Sequence, residues 1–125
     1  MSDLLAALEV AKTTALPVVG QLAQKLERGF DRLASMAPTW GLSVVGTNCL
    51  DPEQTQFFIE RSVKEAKVPV SAFPSAGLPG QTLPPKGFAR ALKGIVDAGA
   101  RLVGGCCGTG PDHIREAAAL LGKGR

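Results

Sequence analysis

At 125 residues and 12.9 kDa, with 45% hydrophobic and 20% charged residues, the chain has the composition of one globular domain. It falls well short of the ~250 residues of a complete eight-stranded α/β barrel, so a barrel reading must account for missing strands. Fourteen basic residues against 11 acidic ones give a net charge of +3, scattered along the chain rather than blocked, which leaves no footprint for nucleic acid.

Short apolar runs alternate with amphipathic segments. A first helix is expected over roughly Asp3 to Thr13, followed by a strand at Leu16-Pro17-Val18-Val19-Gly20. A second helix near Leu26 to Ala37 contains Gly29 and stops at Pro38. The next strand covers Leu42-Ser43-Val44-Val45-Gly46. The helix after it opens on Asp51-Pro52-Glu53-Gln54, which supplies an N-cap, a proline at the first helical position and a capping-box glutamine. Its apolar stripe is Ile59, Val63 and Ala66. Val68-Pro69-Val70-Ser71-Ala72-Phe73 is the third strand, and Phe88, Leu92, Ile95 and Val96 mark a helix beyond it. Arg101-Leu102-Val103-Gly104-Gly105 is the fourth strand. The last helix starts near Pro111, is expected to bury Ile114, Ala117, Ala118 and Leu121, and meets a stop at Gly122. Val-rich runs of this kind suit parallel strands buried on both faces. The fold class is therefore α/β, four parallel βα units behind an opening helix, in either a small open sheet or half of a barrel.

Two charge-free windows, Leu33 to Leu50 and Val68 to Pro85, are broken by Pro38 and Gly41 and by five prolines, so neither is expected to span a membrane. Met1-Ser2-Asp3 opens no basic n-region and no apolar h-region, so a cytoplasmic, reducing setting is expected. In that setting three cysteines, an odd number with Cys106 and Cys107 adjacent, argue against a disulfide framework and for metal or reactive-thiol chemistry.

All three cysteines fall at C-terminal ends of expected strands, where α/β folds keep their sites. Consecutive side chains of a strand point to opposite faces, so Cys106 and Cys107 can share one ion only if the strand has already turned, a freedom that Gly104, Gly105 and Gly108 supply. The second and fourth strands are alternate neighbours, and alternate barrel strands fill the same interior layer, so Cys49 can meet the pair. Three thiolates leave one position of a tetrahedral Zn2+ ion open, as catalytic zinc sites do, and an incoming thiol could fill it.

The run Gly46-Thr47-Asn48-Cys49 and the run Gly104-Gly105-Cys106-Cys107-Gly108-Thr109-Gly110-Pro111-Asp112-His113-Ile114 resemble the zinc-binding signatures of the homocysteine S-methyltransferase family. Phe73-Pro74-Ser75-Ala76-Gly77-Leu78-Pro79 resembles that family's Pro-Asn-Ala-Gly-x-Pro loop, with Ser75 in place of asparagine. Leu50-Asp51-Pro52 departs from the Gly-Pro common after the first signature. The resemblance covers residues 1–125 as a partial homocysteine-binding domain, the C-terminal half of a (β/α)8 TIM barrel, with the four strands as the fifth to eighth. The N-terminal Asp-Gly motif and most of a Glu-Thr-x-x-Asp motif, of which Asp3 would be the last residue, are absent.

The resemblance implies zinc held by Cys49, Cys106 and Cys107, with Asn48, Ser75 and Gly105 among the substrate contacts. It implies methyl transfer from a donor to the thiol of homocysteine, giving methionine. Three thiolates on a divalent ion leave a net charge of about −1 by addition, which keeps a bound sulfur nucleophilic. The missing half of the domain implies a partner, either a second copy or a complementary N-terminal half-barrel chain. The alternative is a non-catalytic zinc-binding half-barrel subunit or a degenerate fragment.

Blander readings accompany each signal. The cysteines would otherwise be small buried apolar residues, and the glycines from Gly104 to Gly110 a phosphate cradle, although their spacing fits neither the dinucleotide fingerprint nor the P-loop. A vicinal Cys106–Cys107 disulfide would be strained. The lone histidine, His113, falls in the first turn of the last helix, where a structural role is expected. Asn48 and Ser75 serve equally well as strand-end or turn hydrogen-bonders. Trp40 is expected in core or rim packing.

Overall fold

The computed structural model describes residues 2–23 and 27–122. The elements run α1 (Ser2–Ala11), a 3-10 turn (Lys12–Thr14), β1 (Val19–Leu22), α2 (Glu27–Met36), β2 (Val44–Asn48), α3 (Pro52–Glu65), β3 (Val70–Phe73), α4 (Pro85–Asp97), β4 (Leu102–Val103) and α5 (Pro111–Gly122). The four strands form one sheet in the order β1-β2-β3-β4, every neighbouring pair parallel. This is the α/β arrangement of four βα units expected from the alternating pattern. Leu26, where the second helix was expected to begin, lies outside the described residues.

Helix starts follow local chemistry. The Asp51 carboxylate accepts from the Gln54 backbone N–H at 2.8 Å, and Pro52 fills the first helical position, where a missing N–H costs nothing. The capping box is only half made, because Gln54 Oε1 is buried without a partner. The buried face of α3 is Thr55, Phe58, Ile59 and Ser62, so of the expected stripe only Ile59 is central, while Val63 is 39% exposed. In α4, Phe88, Leu92 and Ile95 are buried as their spacing requires. In α5 only Ala117 is buried, Leu121 packs at the core margin, and Ile114 and Ala118 are exposed.

The two sheet faces differ. Val45, Val70 and Ala72 share one face by register, and they pack with Leu33, Ile59, Phe88, Leu92 and Ile95 of the helices. Each of the Val, Leu, Ile and Phe side chains among them contributes about 1.5–3 kcal/mol by leaving water. On the other face the edge strands are open, with Val19 46% and Leu102 43% exposed, whereas Gly46 and Ser71 of the central strands are buried there too. The expected burial on both faces therefore holds in the middle of the sheet and fails at its edges. Across that face Gln21 Nε2 donates to Ser71 Oγ at 2.9 Å, reaching from β1 to β3 over the intervening Gly46 of β2. A Cβ at Gly46 would lie 2.0 Å from the Ser71 carbonyl oxygen, so only glycine lets the strands pack this way.

A smaller cluster of Phe30, Leu50 and Phe58, with the Phe30 and Phe58 rings 5.6 Å apart, pins the loop after β2 to α2 and α3. An Arg61–Asp31 ion pair at 2.8 Å links the same two helices. Trp40 is half-buried at the core margin with the Arg32 guanidinium over its ring, the packing role expected for it. Among the described residues no helix is long and apolar enough to cross a membrane.

Candidate metal centre

Three turns meet at the C-terminal ends of β2, β3 and β4. Cys49 follows β2 directly and adopts a left-handed backbone, φ 61°. Its N–H donates to the Phe73 carbonyl at 3.0 Å, and the buried Leu50 anchors the residue beside it. β4 ends at Val103, and the turn opens at Cys106 itself, whose carbonyl accepts from Thr109 N–H at 3.2 Å with Cys107 and Gly108 inside it, so the two cysteines leave the alternation of a regular strand.

The loop after β3 lies between the two cysteine turns and bonds to both. Ser75 N–H donates to the Leu50 carbonyl at 2.8 Å, and Cys106 N–H donates to the Pro74 carbonyl at 2.9 Å. The Cys107 carbonyl accepts from Ala76 N–H at 2.8 Å and from Ser75 Oγ at 3.2 Å. Thr109 closes the second turn, its hydroxyl donating to the Cys106 carbonyl at 2.6 Å. These bonds satisfy backbone groups that the strand ends would leave unpaired.

The sulfurs consequently gather, all within 4.8 Å of one another. Cys49 and Cys106 are joined as a disulfide, with Cα atoms 5.5 Å apart, and Cys107 is a free, exposed thiol. This corrects the expectation that no disulfide would form: the same convergence that suits an ion also brings two oxidisable sulfurs into bonding reach. Cys106 and Cys107, 3.9 Å apart, are not bonded to each other.

The geometry fits a metal once the disulfide is reduced. A tetrahedral zinc ion with Zn–S distances of about 2.3 Å sets its sulfurs about 3.8 Å apart. Cys107 lies 3.5 Å from Cys49 and 3.9 Å from Cys106. Three soft sulfur donors on an accessible rim select zinc or another thiophilic ion over magnesium or calcium.

Of the remaining expected site residues, Asn48 is the half-buried last residue of β2, and Gly105 lies immediately before Cys106. Ser75 Oγ, besides donating to Cys107, accepts from Gly77 N–H at 3.2 Å, so the hydroxyl serves the turn. His113 plays the structural part expected of it: Nδ1 accepts from Gly110 N–H at 3.1 Å and Nε2 lies 2.7 Å from the Leu83 carbonyl. Thr109 was not foreseen. Its signal is a threonine three residues after a turn carbonyl, a pattern too common to single out alone.

The fold and the cluster together define an α/β protein of four parallel βα units, part of a TIM barrel, with three cysteine sulfurs on the rim at its strand ends. The homocysteine S-methyltransferase family model matches residues 4–121, and the chain belongs to that family. It is 43% identical over 100 residues to methionine synthase of Mycobacterium leprae, an alignment that takes in 73% of this chain and 8% of that protein. With homocysteine S-methyltransferase 1 of Zea mays it shares 35% identity over 94 residues, 67% of this chain and 29% of the maize protein. The crystal structure of the apo homocysteine methyltransferase MmuM from Escherichia coli superposes with a TM-score of 0.76 at 23% identity. That match covers 95% of this chain and 45% of MmuM, and the metallated form of MmuM matches with a TM-score of 0.75 at the same identity. At that identity the likeness speaks for the fold. The chain thus spans less than half the length of each of these relatives.

Proposed function

We propose that the chain carries the thiol-activating rim of a homocysteine S-methyltransferase, the three Sγ atoms of Cys49, Cys106 and Cys107 holding zinc. The reading rests on one observation above the rest: three sulfurs from two separate turns meet within 4.8 Å at the C-terminal strand ends. Bound there, zinc would supply Lewis-acid stabilisation of a substrate thiolate near neutral pH and leave a fourth position for that sulfur. The chain's own part is to present three anionic sulfurs in a fixed triangle. A reducing, cytoplasmic setting would keep Cys49 and Cys106 available as thiolates.

Asn48, Ser75 and Gly105 stand on the same rim and are proposed to border the homocysteine path, with Ser75 acting mainly by holding the Cys107 turn. A methyl donor would approach the sulfur from the open side. In this reading residues 1–125 form a partial homocysteine-binding domain, completed by a second copy or by an N-terminal half-barrel chain. The open sheet face around Val19 and Leu102 favours such a partner, and it equally favours the alternative of a zinc-binding, non-catalytic half-barrel subunit.

Zinc per chain, measured by elemental mass spectrometry on the reduced 125-residue protein beside the C49S/C106S/C107S variant, tests the reading. About one zinc in the parent and none in the variant is expected, and a parent without zinc overturns it. Cysteine-dependent alkylation of homocysteine by a methyl donor then separates enzyme from zinc-binding subunit.

A further inference from the structure

We propose that His113 is a positioning residue for the thiol cluster, tying the turn that carries Cys106 and Cys107 to the return limb of the loop after β3. The proposal rests on the metal-centre reading for its main readout. The loop leaves β3 bonded to both cysteine turns, through Pro74 and Ser75, and doubles back so that Leu83 N–H donates to the Ala76 carbonyl at 2.8 Å. Ala76 is the residue whose N–H holds the Cys107 carbonyl. The position of Leu83 is therefore one hydrogen bond away from the residue that fixes Cys107.

His113 secures that limb from the opposite side. Because Gly110 N–H donates to Nδ1, that nitrogen carries no proton, so the neutral ring bears its proton on Nε2 and donates it to the Leu83 carbonyl. The ring meets the fully buried Phe88 of α4 edge-on, centroids 5.6 Å apart at 82°, which fixes the direction of both hydrogen bonds. One side chain thus joins the start of α5, the loop after β3 and the face of α4. Both ring nitrogens are occupied, so the imidazole acts on the sulfurs through the backbone.

Loss of this tie leaves the Ala76 and Ser75 bonds to hold Cys107 alone. Removing a direct hydrogen-bond partner of a metal ligand typically costs 10–100-fold in affinity, and His113, which acts through Gly110 and Leu83, falls at the low end of that range. The test is zinc affinity by chelator competition on the reduced full chain, with the absorption of the cobalt-substituted protein as a signature of sulfur geometry. H113A is expected to bind zinc about 10-fold more weakly. H113Q, whose amide N–H can reach the Leu83 carbonyl, should recover most of that loss. H113N, whose oxygen reaches only Gly110 N–H, should not.

Equal affinities for H113Q and H113N, or a better H113N, would overturn the proposal by assigning the effect to the cap of α5. So would an H113A protein with the zinc affinity and cobalt spectrum of the parent. If the parent holds no zinc, the metal reading fails on its own, and His113 is judged by the rate at which iodoacetamide alkylates Cys107 in the reduced protein. A several-fold change in H113A that H113Q but not H113N reverses supports the tie, and an unchanged rate refutes it.

Discussion

In the turn after β2 the left-handed residue is the cysteine itself, Cys49 at φ 61°, whereas in the turn after β4 it is Gly108 at φ 74°, one position beyond Cys107. The second turn can use glycine because its sulfurs sit on residues that do not need positive φ. The first cannot, because the residue that must turn is also the residue that must carry Sγ. A left-handed non-glycine costs about 1–2 kcal/mol, and here that strain coincides with a sulfur that only cysteine can bring to the cluster. Ala15 at φ 58° is the other such residue among the described ones, and it merely closes the 3-10 turn. On the proposed zinc reading, strain at Cys49 is a compromise with function, while Gly108 shows how the chain avoids strain when the side chain is free to be absent.

The largest effect should come from removing that freedom. A Cβ at Gly108 would meet the Gly77 carbonyl oxygen at 2.5 Å in addition to its unfavourable φ, and the obstacle is backbone. G108A is expected to lower stability by about 2–3 kcal/mol in urea unfolding, and to weaken zinc binding because the Cys107 turn is pushed off the Gly77 loop. A change below about 0.5 kcal/mol would mean that the second turn is as tolerant as an ordinary surface site.

This pair of turns also shows what a linear sequence can reveal. The order of helices and strands was legible because hydrophobic periodicity switches between two and 3.6 residues, and the convergence of Cys49 with Cys106 and Cys107 followed from their places at strand ends. Strand starts were not: the apolar runs begin one to three residues before the ladder does, with Leu16 69% exposed and Leu42 N–H still bonded to the Ala37 carbonyl. Burial on both faces holds for the central β2 and β3 and fails for the edge strands β1 and β4, because a Val-rich strand reads the same in the middle of a sheet and at its edge. The Cys49–Cys106 disulfide was not anticipated, since clustering for metal and clustering for oxidation demand the same proximity. The tie through His113 depends on Leu83, thirty residues away in sequence, and no local pattern encodes it.

The strain at Cys49 can be measured directly. C49A and C49G both delete the sulfur and the disulfide, and they differ in how the backbone bears φ 61°. In the left-handed region glycine is unpenalised, so C49G should be more stable than C49A by about 1 kcal/mol under reducing conditions. In most strand and helix interiors the order would be reversed. Equal stabilities would show that this turn relaxes when its sulfur is gone, and the contrast with Gly108 would dissolve.

The smallest effects lie one step downstream, where the Cys49 turn hands the chain to α3. Asp51 caps the Gln54 N–H, so D51A should cost about 1 kcal/mol in stability, a typical cap loss. Gln54 offers the opposite case, because its Oε1 is buried with no partner and pays a desolvation cost without return. Q54M keeps the length and the helix propensity while removing that orphan, and chemical denaturation should find it within about 0.5 kcal/mol of the parent or more stable. A loss of 1 kcal/mol or more would mean that the side chain of Gln54 completes the capping box after all, and that the first turn is held from both ends of its cap.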